Sequence, residues 1–437
     1  MAAAHADEPP RPPRTLSRRE ILGWGAALVP AGLVVPQWAH SQSVTEAPLA
    51  PREALGDLEH RFWKDLLDAF PLEPEENHFD NAEVGIPPLQ SLAHMARVAR
   101  DVSAHADATA SDHVDTARQR AARSFGAQVE EILFASSATD AMRVVAEALP
   151  LPPGAVVALS AAEPPSSLRA WQAMERMQRV RIKRFETHER DGTLRNPRKW
   201  LDDAAVVVLS HALSTTGAVL PLDEVSEEAR RRNVWVVANG SHAAGIVPLD
   251  VHALGVDAYV ASGSGWMLGP RGTALAFARA ERLAELVVRD RPMSPNSTGN
   301  VYAGATGVQA ARELEVEPAN ASLVAGLAAS LEWLDGIGIT TVRDHAAQLA
   351  LRMHAGVEGV SGLDVLSSAD DIARCPTLAV RVRRRPNTQV AEWLLENLRM
   401  SVHRVDTAGL NAIRASPHVV NRPDEIDWFI EGMRALA

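Results

Sequence analysis

The chemistry open to this chain rests on a short set of side chains: His211 and His242, Ser262 and Ser264, Arg414 and the lone thiol of Cys375. A histidine beside a serine is the pairing that nucleophilic catalysis uses, the imidazole drawing the proton from the hydroxyl. The spacing of Ser264, His242 and the nearby carboxylates gives no reason of its own to assert such a pair. Both His211 and His242 equally suit a core in which backbone carbonyls satisfy the ring nitrogens. The Ser136-Ser137-Ala138-Thr139 run has the composition of a helix cap, and a single arginine such as Arg414 is ordinarily solvated. No Cys/His cluster has zinc-type spacing, and one cysteine cannot form an internal disulfide. Of 44 Lys and Arg residues, only Lys64, Lys183 and Lys199 are lysines. Any chemistry that needs a lysine amine is therefore confined to the first half of the chain.

Positioning such groups takes a scaffold, and 437 residues suffice for more than one core, at about 100–200 residues per domain. Composition is that of a globular protein, 46% hydrophobic and 23% charged, and the net charge of −11 opposes nucleic-acid binding. After about residue 50, short β-rich runs alternate with helical stretches. Strands are expected at 156–160, 179–185, 205–210, 234–238, 258–261 and 274–278. Several are apolar throughout rather than alternating, as strands buried on both faces of a mainly parallel sheet are. Helices are expected at 167–178 and 223–232, so the pattern is a layered α/β domain. Residues 320–336 read as an amphipathic helix with a Leu323, Leu327, Leu331, Leu334 stripe and Gly336 and Gly338 as stop signals. A smaller α/β segment follows, with strand-like 377–382 and 399–405 around a helix at 390–398.

The N-terminus reads as a targeting segment. Residues 1–16 are rich in Pro, Ala and Arg, then Ser17-Arg18-Arg19-Glu20-Ile21-Leu22 precedes a mild apolar run and the small residues around Ala39-His40-Ser41. This resembles a twin-arginine export signal, and the apolar run is shorter than the ~20 residues of a membrane span. The expectation is a signal over 1–41, a periplasmic or secreted mature protein, and no permanent membrane span.

Ser262-Gly263-Ser264-Gly265-Trp266-Met267-Leu268-Gly269-Pro270-Arg271-Gly272 resembles the S-G-H-K-W-L-x-G-P-R-G signature of class V, fold-type I aminotransferases and cysteine desulfurases. Other segments follow that family in order: Phe79-Asp80-Asn81-Ala82-Glu83-Val84-Gly85, Ser136-Ser137-Ala138-Thr139-Asp140-Ala141, Ser210-His211-Ala212-Leu213-Ser214-Thr215-Thr216-Gly217, Asn239-Gly240-Ser241-His242-Ala243 and Ile413-Arg414-Ala415-Ser416-Pro417. The pattern is most similar to the isopenicillin N epimerase-like branch. The resemblance implies a pyridoxal-phosphate (PLP) transferase fold: a large α/β domain at 76–312 with a mainly parallel sheet between helices, and a smaller C-terminal α/β domain at 313–437. Residues 42–75 would pack with the small domain. It further implies a cofactor site at Ser137, Ala138, Thr139, Asn239, His242 and Ser262, a substrate site at Asn81, His211 and Arg414, and a dimer. In the family the Arg414 position binds the substrate carboxylate, and the helix opening after Ser137 presents N–H groups to the cofactor phosphate.

The chain departs from that pattern where the chemistry lies. The Schiff-base lysine position is Gly265, and the carboxylate that pairs with the pyridine nitrogen is replaced by Asn239. An amide lacks the charge-assisted bond of a carboxylate. Ala162 stands where an aromatic ring stacks on the cofactor, and Glu317-Pro318 where a Gly-Thr pair meets the phosphate. The resulting expectation is an exported protein degenerate for PLP chemistry, with no cofactor and no catalytic residue. It would bind a small amino-acid-like carboxylate or a partner, as a homodimer or beside a catalytic paralogue. An atypical active PLP-dependent aminotransferase, epimerase or lyase is the alternative.

Overall fold

Alternate side chains along the central strands point into two different apolar layers, and that alternation organises the structure. In the strand Ala204–Ser210, Val206 and Val208 enter one layer while Val207 and Leu209 enter the other. The computed structural model describes residues 62–73, 75–105, 110–177, 179–187, 198–288, 305–306, 308–315 and 319–437. Residues 1–41, where a signal is expected, and Glu317-Pro318 lie outside the described residues, as do residues 42–61. Trp63–Ala437 forms one unit.

Seven strands build the main sheet among the described residues: β1 (Ile132–Ala135), β2 (Ala155–Ser160), β3 (Val180–Phe185), β4 (Ala204–Ser210), β5 (Trp235–Asn239), β6 (Ala258–Ser262) and β7 (Ala274–Ala278). Their order is β1-β7-β6-β5-β4-β2-β3, and only β7 runs against the rest. The expected strands all form, with ends moved by a residue. The four-residue β1 was not foreseen, being short and preceded by Glu130 and Glu131. One layer holds helices Ala110–Phe125, Leu222–Arg231 and Ala321–Ile337. The other holds α1 (Ala138–Ala148) and α2 (Pro165–Arg176), with Trp171 fully buried between α2 and the strands. Each fully buried Val or Leu in these layers contributes about 1.5–3 kcal/mol.

A second sheet is antiparallel, in the order Leu363–Val365, Leu378–Val382, Ala412–Ala415, His403–Val405, with its own apolar cluster. The expected 399–405 strand is broken in two, because Met400–Ser401 pairs instead with Asn77–His78. Gly336 does not stop its helix, which runs Ala321–Ile337; the stop is Gly338 at φ 95°. Among the described residues no single helix is long and apolar enough to cross a membrane.

Because β1, β2, β4, β5 and β6 run the same way, their carboxyl ends lie along one edge of the sheet. Open α/β sheets bind ligands outside that edge. Ser210, Asn239 and Ser262 close their strands there, and Ser137, Glu163 and residues 263–265 follow just beyond strand ends.

Candidate functional site

Ser137 caps α1, its hydroxyl accepting from the Asp140 N–H at 3.1 Å. The N–H groups of Ala138 and Thr139, in the first turn, have no acceptor within their own helix. α1 packs on the face of β6 that carries Val260 and, two residues on, Ser262. The Ser262 hydroxyl lies 3.3 Å from that of Ser264, and the Ser262 N–H donates to Ser241 Oγ at 3.3 Å. Ser137 is exposed and Ala138, Thr139 and Ser262 are half-buried, so this group of N–H and hydroxyl donors is open to an anion.

Asn239 ends β5 beside Ser210, its register partner on β4. Its Oδ1 accepts from the Ser241 N–H at 3.1 Å, and its Nδ2 donates to Glu163 Oε2 at 3.5 Å. Glu163 is wholly buried, and Ser210 Oγ donates to its Oε1 at 2.6 Å. Burial pushes the Glu163 carboxyl up, against the hydrogen bonds from Ser210 and Asn239 that lower it. The Asn239 amide is thus committed to groups within the chain rather than aimed at a ligand. Glu163 was absent from the sequence-derived site, although it follows directly on Ala162.

Gly265 is bare because the chain passes against it. A Cβ built there would stand 2.6 Å from the carbonyl oxygen of Ala82, and one built on Gly85 would strike the carbonyl of Gly265. The Gly85 N–H donates to Ser264 O at 2.6 Å, pinning the two segments together. The 80–85 turn therefore fills the space beside Gly265. Lys64, Lys183 and Lys199 are all exposed, and the Lys183 ammonium donates to Asp202 O.

The assigned substrate residues are engaged by the chain itself. Asn81 is fully buried and its Nδ2 donates to His78 O, Ser416 O and Asn421 Oδ1, which makes it a tie between the turn and the second sheet. His211 follows Ser210 by one residue and so faces the opposite layer from Asn239, where Tyr259 Oη lies 2.9 Å from its Nδ1. Period-two alternation from the register partners Ser210 and Asn239 carries that signal. Burial, then the charge of Arg374, pulls the His211 imidazole down to about 4. With Arg343 and Arg374 it lines a different cleft of about 470 Å³.

Arg414 is 1% exposed. Its Nη1 donates to Ser214 O at 2.6 Å and its Nη2 to Asp80 Oδ1 at 3.0 Å, with Glu83 Oε2 at 3.5 Å. Asp80 also lies 3.2 Å from His403 Nδ1. Burial raises the Asp80 carboxyl, but His403 and Arg414 together outweigh that and hold it below its ordinary value. His242 is buried, and burial, then the charges of Arg414 and His403, keep its imidazole neutral, well below the ordinary range. Glu83 Oε2 approaches His242 Nε2 to 3.8 Å, beyond hydrogen-bond reach. The expected seat for a ligand carboxylate at Arg414 is therefore already filled by carboxylates of the chain. Asp80, Glu83 and His403 were missed because their partners lie hundreds of residues away in sequence. Cys375 is fully buried, its thiol directed at His242 O and pushed up to about 12, so it offers no nucleophile.

The PLP cofactor of the resembled family meets these residues unevenly. Donors for its phosphate are present at Ala138, Thr139 and Ser262, whereas nothing at Gly265 can reach its aldehyde and Asn239 is turned to Glu163.

A family model described as aminotransferase class-V matches residues 89–429. The chain is 29% identical to an isopenicillin N epimerase of Amycolatopsis lactamdurans, covering 74% of this chain and 84% of that protein. It is 29% identical to a probable cysteine desulfurase of Mycobacterium leprae, over 75% and 82%. Its fold matches, with a TM-score of 0.73 and 22% identity over 84% and 98% of the two chains, a lysine-to-alanine variant of the enzyme C-DES in which glycine is covalently linked to the PLP cofactor. These findings correct the expectation that no cofactor is involved. A neighbour of this fold holds PLP while carrying a lysine-to-alanine substitution, so a missing lysine is no ground for excluding the cofactor.

Proposed function

The chain belongs to the aminotransferase class-V family, and from that premise we propose that it is degenerate for lysine-dependent PLP chemistry while it keeps the phosphate end of the cofactor's seat. The observation that carries this is the packing at Gly265, where no side chain can project without displacing the carbonyl of Ala82. The commitment of the Asn239 amide to Glu163 and Ser241 supports it further. When bound, PLP supplies an electron sink for the carbon next to an amino group. The residues of this chain contribute the binding: the first-turn N–H groups of Ala138 and Thr139 and the hydroxyl of Ser262 take the phosphate oxygens. Neutral His242 and the Arg414–Asp80 pair are the further groups of that site which the fold brings together. Export by the twin-arginine route and assembly as a dimer belong to the same proposal, on the strength of the Ser17–Leu22 motif and of family analogy.

The test is a titration of the purified full chain with PLP, followed by borohydride reduction and mass spectrometry. Binding should be reversible, competed by inorganic phosphate, and weakened by about 1 kcal/mol in Ser262→Ala, which removes one hydrogen bond. No pyridoxyl group should remain on the protein. A reduced adduct on Lys64, Lys183 or Lys199, or binding indifferent to phosphate, would overturn the proposal.

A further inference from the structure

The geometry points to Glu83 as a built-in occupant of the carboxylate seat of Arg414, so that this site accepts amines and turns away α-carboxylates. The inference deepens the reading above and rests on it only for where the ligand lies.

Glu83 rides on the 80–85 turn, whose backbone is closed by the Glu83 and Val84 N–H groups donating to Asp80 O at 3.1 and 2.9 Å. The turn can seat itself only because Gly265 is bare, since Ala82 O stands 2.6 Å from where a Cβ would be. The absent side chain at 265 and the placement of Glu83 are therefore one feature. Seated in this way, the turn holds Glu83 Oε2 3.5 Å from Arg414 Nη2 and 3.8 Å from His242 Nε2. Asp80 already bonds the same Nη2, and Ser214 O takes Nη1.

One guanidinium thus faces two carboxylates, so it has no free side on which to take a third. An incoming α-carboxylate must displace Glu83 or meet two like charges. An ammonium group meets the opposite situation, because the Glu83 side chain is 48% exposed and offers an oxygen toward solvent. Asp80 is the less accessible of the two, at 19% exposure, and is held by both Arg414 and His403. Glu83 is accordingly the residue that decides the sign of the charge a ligand may carry.

Histidine-labelled protein, full chain, can be followed by NMR at the His242 resonances while sodium acetate or methylammonium chloride is added at matched ionic strength. In the wild type, methylammonium shifts these signals and acetate does not. In Glu83→Ala, acetate enters the vacated seat saturably, at least tenfold more tightly than in the wild type. Glu83→Gln keeps the bulk of the side chain, removes its charge and loses the methylammonium response. A wild type that responds to acetate as strongly as Glu83→Ala, or a folded Glu83→Ala indifferent to acetate, overturns the inference. PLP titration of the same samples separates the two readings. Acetate entry into Glu83→Ala without phosphate-competed PLP binding removes the proposed function alone, and the reverse result removes only the role of Glu83.

Discussion

Replacing Gly265 with alanine adds one methyl group at the point where two backbone segments touch. The new Cβ would lie 2.6 Å from Ala82 O and 3.3 Å from Ala82 C, and neither atom belongs to a side chain that can rotate away. Retreat of the turn would also stretch the 2.6 Å hydrogen bond from Gly85 N–H to Ser264 O. Overpacking of this kind costs about 1–3 kcal/mol, which for a chain of this length corresponds to a fall of roughly 1–3 °C in melting temperature. Gly336→Ala is the matched control, because it lies in the helix Ala321–Ile337 with nothing within 4 Å of the added atom. There the change should stabilise by about 0.5–1 kcal/mol, the ordinary helical preference for alanine. Thermal and urea unfolding of both variants beside the wild type measure the contrast. A Gly265→Ala protein as stable as the wild type would show that the turn does not press on this position. The account of why no lysine stands there would then fail.

Two further outcomes follow from buried charge. Arg414→Ala leaves Asp80 without its guanidinium partner in a site where Arg414 is 1% exposed, and should cost about 3–5 kcal/mol by urea unfolding. A loss below about 1 kcal/mol would contradict the pairing described. His345 stacks on Trp63 at 3.8 Å, and burial pulls its imidazole down to about 4 in the folded state. The unfolded chain, with an ordinary value near ~6.5, binds more protons between these values, so stability falls as pH drops from about 6.5 to 4, by at most about 3 kcal/mol from this residue. His345→Phe keeps the stack without a titrating group and should flatten that decline; an unchanged acid limb in urea titrations would refute the assignment.

Much of this protein was legible in its residues. Runs such as Ala-Val-Val-Val-Leu at 205–209 announced strands buried on both faces, and the structure places them in the main sheet within a residue of the expected ends. The order of motifs from Asn81 to Arg414 announced the family, and the class-V match over residues 89–429 bears that out. These signals are local: alternation, apolar runs and short motifs depend on residues a few positions apart. The strand period also tells which layer His211 faces, but not its partner there, Tyr259, 48 positions away.

What only the tertiary structure decided is which of those residues a ligand can still reach. Arg414 looked free in sequence and is met by Asp80, 334 positions away, while Asn239 looked like a ligand contact and is met by Glu163, 76 positions away. Gly265 looked like a single deletion of chemistry, and it is also the floor on which the turn bearing Glu83 rests. A polar side chain buried in a protein takes whatever partner the fold brings to it, because leaving it unpaired costs more than any local preference supplies. Those partners arrive through long-range packing, which no window of neighbouring residues encodes.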